Sequence, residues 1–443
     1  MRARLAMSGK EPAAVAPGYG GPELAAWLER LERMHPRKID LGLERVGAVA
    51  SRMGLRFDCT VIVVAGTNGK GSTCAMLESI LLAAGYRVGL YSSPHLVHFN
   101  ERVRIGGVAL EDAPIVAAFE EVEAARGDVS LTYFEFTTLA LCRLLSRAGL
   151  DAVVLEVGLG GRLDAVNLFD ADCAIVTSID VDHAQWLGES REAIGLEKAH
   201  VFRPGRPAIC SDPQPPASLV AHAEAIGADL WLFGRDYNYA GDRQQWSYAG
   251  RSHRRNSLAY PALRGANQLL NAAGALAALD ALRNVMPVPQ HAVRQGLAQV
   301  ELAGRFQVMP GRPAIVLDVA HNPHAAAHLA TNLEQMGFFP STWAVFGAMA
   351  DKDLDGIIAA MAPVVSHWIT VSLPGDRAAS GDELAARLRA NGIGVEDDHH
   401  SVTVVPTPLD GLRTALGAIR DADRIVVFGS FLTVADVLGK WRR

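Results

Sequence analysis

The sequence predicts an α/β protein of two domains. The larger is built on a parallel sheet and carries a small antiparallel β subregion; the smaller, C-terminal one is again α/β. Three observations predict this. Short apolar runs alternate with helical patterns, as expected for a parallel sheet covered on both faces. The stretch 228–260 breaks the alternation: it is rich in Trp, Tyr, Gly and Arg and lacks a long helical period. From about residue 300 the alternation restarts.

In order along the chain, VIVVA at 61–65 reads as a buried strand. Within 72–84, Leu77, Ile80, Leu81 and Ala84 share one helical face, and Gly85 ends the segment. Strands are expected at 87–92, 152–157 and 173–179, and short antiparallel strands within 228–260. An Ala- and Leu-rich helix follows from about Asn267 to Leu282. In the second domain the strands fall at 314–320, 342–348, 367–372, 402–405 and 424–429. The boundary lies within 296–311, which divides the chain into a loose tail (1–20), a central domain (21–298) and a C-terminal domain (299–443).

Composition excludes several classes. Hydrophobic residues make up 49% and charged residues 20% of the 443, ordinary values for a packed soluble protein. A net charge of −6 argues against a general nucleic-acid binder. The five cysteines are scattered, without C-x-x-C or metal spacing, as in a reduced cytoplasmic protein. The first residues lack the apolar core of a signal peptide, and no run approaches the ~20 apolar residues that span a bilayer.

The chemistry concentrates after the first strand. Gly66-Thr67-Asn68-Gly69-Lys70-Gly71-Ser72 joins a strand to an amphipathic helix. Glycines let backbone N–H groups face an anion, and the helix N-terminus adds unpaired donors. Lys70 can reach terminal phosphates, and Ser72 or Thr73 can ligate Mg2+. The spacing differs from G-x-x-x-x-G-K-[ST], because Gly71 separates lysine from serine. Glu156 ends an apolar strand and needs a cation, either an arginine or a metal. His183 follows another strand, so it can share the carboxyl edge where open α/β sheets bind ligands. Lys198, alone, reads as a surface lysine on a helix. Asp318 and His321 end a strand of the second domain, and Pro323 suits a first helical turn. His321, His324 and His328 have metal-like spacing, but the first precedes the helix and no fourth ligand is evident; an exposed helix face is the simpler reading of the other two. A nucleotide loop on one of two domains implies an active site that closes between them and excludes water.

Taken together, VAGTNGKGS, YSSPHLVHFNERVR, LTYFEF, LEVGLGGRLDAVN, SIDVDHAQWLG, EKA, LAGRFQ and DVAHNPHAA resemble folylpolyglutamate synthase/dihydrofolate synthase, from about Leu31 to the C-terminus. That family is a branch of the ATP-dependent Mur ligases. The resemblance implies a P-loop ATPase domain, a Rossmann-like glutamate ligase domain, and an ADP-forming amide ligase working through an acyl phosphate. It assigns Thr67, Asn68, Gly69, Lys70, Gly71 and Ser72 to ATP, with Asn267, Arg305 and Asp318 contacting the nucleotide. Ser93, Glu156 and His183 become magnesium ligands. Lys198 becomes a carbamylated lysine that helps to hold a second ion, replacing the surface reading, and His321 a phosphate contact. Lys38, Ile39, Asp40 and Leu41, then Thr132, Tyr133, Phe134 and Glu135, then Leu163, Asp164 and Ala165, match the pterin-substrate positions.

Two departures from the family pattern stand out. His200 follows EKA where glycine is usual, which questions the local backbone. Phe136-Thr137 replace a small residue and glycine, which questions the shape of the pterin pocket. The implied reactants are ATP, L-glutamate and dihydropteroate or a reduced folate. Two Mg2+ ions are implied as cofactors, in a monomer that binds neither nucleic acid nor membrane. The alternatives are folylpolyglutamate synthase activity alone, a UDP-muramyl-peptide ligase, and a nucleotide-binding regulator without turnover.

Overall fold

The computed structural model describes residues 20–37, 39–242, 244–265, 267–394 and 401–441. Lys38 and all of the expected tail but Gly20 lie outside them. The described residues form two compact units. One comprises 20–262 and 268–301; the other takes those of 263–267 and 302–441.

The first unit holds an eight-stranded sheet. Its strands are β1 (Thr60–Ala65), β2 (Val88–Tyr91), β3 (Val103–Ile105), β4 (Val108–Ala109), β5 (Ala152–Glu156), β6 (Cys173–Val176), β7 (Pro207–Cys210) and β8 (Asp229–Leu232). The order is β4-β3-β2-β5-β1-β6-β7-β8. Every pairing from β2 to β8 is parallel, whereas β3 and β4 form an antiparallel edge. Central strands β1, β5 and β6 are buried almost throughout, which is why they read as unbroken apolar runs.

A separate antiparallel sheet joins β9 (Asn238–Gly241), β10 (Trp246–Ala249) and β11 (Arg254–Leu258). The expected antiparallel stretch 228–260 is thus divided. Its first piece, DLWL, runs parallel to β7, with Leu230 and Trp231 buried. The helix Asn267–Ala281 follows as expected, with a nearly continuous buried face from Asn271 to Asp280.

The second unit has a six-stranded sheet of β12 (Gln307–Met309), β13 (Ala314–Leu317), β14 (Thr342–Phe346), β15 (His367–Val371), β16 (Ser401–Val405) and β17 (Arg424–Phe428). The order is β12-β13-β17-β14-β15-β16, with only β12 antiparallel. Its core is its own: Phe346 stacks on Phe428 at 4.9 Å, with Trp368 edge-on to Phe346 at 5.7 Å. No described helix is long and apolar enough to cross a membrane.

Candidate active site

The site begins where β1 stops. Val64 pairs with Glu156 of β5 on one side and Ile175 of β6 on the other, so three strand ends meet beside the loop that follows Ala65. Gly66 takes φ +143°, and a Cβ there would lie 1.7 Å from Thr177 Oγ1. Gly69 takes φ +94°, and a Cβ there would meet Asn271 Oδ1 at 2.4 Å. Both positions demand glycine on two counts, conformation and space.

The loop is held from behind. Thr67 N–H donates to Ser178 O at 2.7 Å, and Thr177 Oγ1 donates to Asn68 O at 2.8 Å. Thr67 Oγ1 donates to Asp180 O and accepts from Asp180 N–H, both at 3.0 Å. This pinning ends β6 at Val176, short of the expected 179, since residues 177–180 turn to brace the loop. The helix Lys70–Ala83 starts two residues before the expected position, with left-handed Gly69 as its N-cap. Ser72 lies buried in its first turn, where Gln268 Nε2 donates to Ser72 Oγ at 3.4 Å.

Two ammonium groups converge on one carbonyl. Lys70 Nζ donates to Gly66 O at 3.0 Å, and Lys198 Nζ donates to the same oxygen at 2.9 Å. Lys198, on the helix Arg191–Ala199, is only 4% exposed. Burial, then the like charge of Lys70, pulls its pKa down to about 7. The surface reading is therefore wrong for this lysine. The GLGGR loop explains its place: Gly161 packs so tightly that a Cβ would lie 2.6 Å from Glu197 O and 3.0 Å from Lys198 Cα.

Glu156 is 5% exposed and accepts Ser93 N–H at 3.2 Å. Ser93 Oγ is buried and has no hydrogen-bond partner among the described residues. A hydroxyl left in that state beside a carboxylate suits an oxygen-seeking cation such as Mg2+. His183, left-handed at φ 54°, follows β6 and caps a short helical turn, with its backbone N–H bonded to Asp182 Oδ1 at 2.8 Å. Among the described residues no three His, Cys, Asp or Glu side chains cluster to hold a metal. A mixed Ser–Glu–His set is outside that pattern.

A second group gathers around the helix that starts at Tyr133. Thr132 caps the helix Tyr133–Ser146 in a reciprocal box: Glu135 N–H donates to Thr132 Oγ1 at 3.2 Å, and Thr132 N–H to Glu135 Oε2 at 2.8 Å. Arg45 ties this box to the Ile39–Leu41 segment. It reaches Asp40 Oδ2 at 2.7 Å and Glu135 Oε1 at 3.2 Å. Phe134 packs over Gly158, where a Cβ would lie 2.6 Å from its ring. Asp164 accepts N–H bonds from Gly158, Leu159 and Val166 at 2.8–3.0 Å, and burial still raises its pKa to about 6. Beside it Ala165 is buried and Leu163 half-buried. Arg102, buried, bonds His95 Nδ1 at 2.9 Å and lies 5.7 Å from the Tyr133 ring centroid.

The second unit gathers a third group. Asp318 follows β13 and accepts N–H from Phe306 and Ala320, both at 2.8 Å; burial raises its pKa, opposed by the charge of Arg305. Arg305 lies 4.9 Å over the Phe431 ring, and His321 Nδ1 bonds Val319 O at 2.8 Å. Asn322 caps the helix Pro323–Gln335, with Pro323 in its first turn as expected. Asn267 is the first residue of its own helix.

Sequence reasoning passed over Arg45, Arg102 and Asp182. Each stood inside a quoted motif or beside one, but only packing reveals what its side chain meets. Both departures fall on ordinary helical backbone. His200 takes φ −67°, ordinary helical backbone, at the end of its helix. Phe136 is core, 5.7 Å from Phe119, and Thr137 Oγ1 bonds back to Phe134 O at 3.2 Å.

A phosphate-type loop, a buried lysine beside it and a Ser–Glu pair on one sheet edge, with a second α/β unit, define an ATP-dependent ligase of the Mur type. The Mur ligase middle domain matches residues 64–279, and the Mur ligase glutamate ligase domain matches 304–431. The chain belongs, more narrowly, to the dihydrofolate synthase/folylpolyglutamate synthase family. It is 45% identical to the Escherichia coli (strain K12) member over 416 residues, 94% of each chain. The solved structure of E. coli FolC in complex with DHPP and ADP is 43% identical; the match covers 96% of this chain and 98% of that one, with a TM-score of 0.89. A bifunctional folylpolyglutamate synthase/dihydrofolate synthase with Mn, AMPPNP and L-glutamate bound is 44% identical over 94% and 97%, with a TM-score of 0.85.

Proposed function

We propose that this chain joins L-glutamate to 7,8-dihydropteroate and extends reduced folates with further glutamates, with ATP as co-substrate. The observation that carries the reading is the Lys70–Gly66–Lys198 convergence beside Glu156 and Ser93. A carboxylate is a poor electrophile, so its oxygen first attacks the γ-phosphorus of ATP. The bond to the β–γ bridging oxygen breaks, and ADP leaves. The glutamate amine then attacks the acyl carbon, the tetrahedral adduct expels phosphate, and the amine's surplus proton passes to solvent.

Positioning and charge neutralisation do most of this work. The Thr67–Ser72 loop holds the phosphates, and Lys70 leaves Gly66 O for the terminal oxygens. Ser93, Glu156 and His183 would hold Mg2+, which would supply charge neutralisation for phosphoryl transfer. Lys198 has the uncharged amine that carbon dioxide needs: nitrogen attacks carbon, one proton leaves, and an anionic carbamate results, suited to a second Mg2+. Asn267, Arg305 and Asp318 contact the nucleotide, and His321 a phosphate oxygen. The pterin lies against residues 38–41, 132–135 and 163–165, with Asp40, Glu135 and Asp164 as its carboxylates. The working species is a cytoplasmic monomer with domains at 21–298 and 299–443.

The test is ADP release with dihydropteroate, with tetrahydrofolate and with a UDP-muramyl peptide, each with and without L-glutamate. Glutamate-dependent ADP release with both pteridines and none with the peptide is expected. Release with tetrahydrofolate alone leaves the single-activity reading, and release with the peptide alone contradicts the proposal.

A further inference from the structure

The second unit carries a histidine pair that the ligase reading leaves unused. His324 and His328 stand one turn apart on the helix Pro323–Gln335, so their side chains share a face. Their Nε2 atoms are 3.1 Å apart, and the rings stand nearly perpendicular, at 82°, with centroids 4.4 Å apart. Both residues are half-buried. The expected reading, an exposed helix face, does not describe them.

We infer that His324 and His328 form a two-imidazole chelate for a late first-row divalent cation of the zinc, nickel or copper class. Zinc binds imidazole nitrogen at about 2.0–2.1 Å. Two nitrogens at that radius and 3.1 Å apart subtend about 98° at the metal. This lies between the square and tetrahedral values, so the pair needs little adjustment to become a chelate. Paired histidines at i and i+4 on one helix are the arrangement by which a helix presents two ligands to one zinc.

The other histidine pair marks the contrast. His200 and His222 have ring centroids 4.2 Å apart and planes tilted by 31°. At 324 and 328 it is the two nitrogens that meet. The competing reading is an N–H···N hydrogen bond between two neutral imidazoles. That bond fixes one proton between the nitrogens, and a cation would displace it. The pair supplies two of the ligands.

This site shares no residue with the Ser93, Glu156 and His183 set. It also differs in chemistry: soft-to-borderline cations prefer imidazole, whereas Mg2+ prefers oxygen. Mg2+ therefore does not compete for it at ordinary concentrations.

The experiment uses the full chain with saturating Mg2+ and ADP, so that the oxygen-rich site is occupied. Zn2+ is titrated against a chromophoric chelator for the wild type, His324→Gln, His328→Gln and the double variant. One zinc equivalent is expected in the wild type beyond that retained by the double variant. Either single change should weaken it by about tenfold or more, with the circular dichroism spectrum retained. On the wild type, bound Cu2+ should show electron paramagnetic resonance splitting from two equivalent nitrogens; each single variant should show one. The inference is overturned by equal zinc uptake in the double variant, and equally by a wild-type copper spectrum without two-nitrogen splitting. The second result stands whether or not the variants fold. Neither readout involves turnover, so failure here leaves the ligase reading untouched.

Discussion

At residue scale the account rests on Lys198. Its ammonium is buried, opposed by Lys70, and bonded to a carbonyl that Lys70 also contacts. A lysine whose pKa falls from 10.5 to about 7 carries one proton fewer in the folded than in the unfolded chain between those values. Folding therefore gains stability as pH rises through that window, and above pH 7 the amine is free to take up carbon dioxide. Enzyme stripped of bicarbonate should lose most of its activity. Added bicarbonate should restore it at a rate that rises with pH, half-maximal near pH 7. Lys198→Ala should lower kcat by about a hundredfold or more while leaving ATP binding largely intact, as removal of a group needed only during phosphoryl transfer does. Unchanged glutamate incorporation by the variant would refute the role. Helical spacing alone left this lysine on a surface, because it says nothing about what packs on top; the family motif replaced that reading. The Gly161 contact and the buried amine show its burial physically.

At element scale, the strand-to-helix turn was legible and its support was not. Strand β1, the glycines and Gly85 at the helix end all follow from local chemistry. The bracing of the loop by residues 177–180 involves partners over a hundred positions away, which no local pattern encodes. The same holds for Arg45. It joins Asp40, in the segment before its own helix, to Glu135, in the cap of another. Because it touches two of the proposed pterin segments and neither Lys70 nor Lys198, Arg45→Ala should raise KM for dihydropteroate by about tenfold while KM for ATP stays within about twofold. Arg45→Lys, which keeps charge but loses the two-pronged geometry, should recover part of the loss. Steady-state kinetics with each substrate varied in turn measures this. Equal changes in both KM values would mean that Arg45 supports the fold as a whole and not the acceptor segments.

At the scale of the whole molecule, two α/β units with separate cores were readable because β-rich apolar runs and helical periods alternate twice along the chain. The antiparallel edge β3–β4 was not, since two- and three-residue strands leave no period to detect. Nor was the parallel place of β8, whose four residues resemble the antiparallel strands after them. The family motifs carried more of the site than composition or periodicity did: Ser93 and Asp164 acquire meaning only as members of a set. The proposed set serves one chemical event, activation of an acceptor carboxylate by phosphorylation. Dihydropteroate labelled with 18O in its carboxylate tests it directly. The account predicts one 18O atom in the released inorganic phosphate per amide bond formed, counted by mass spectrometry. Phosphate free of 18O, with glutamate still incorporated, would contradict it.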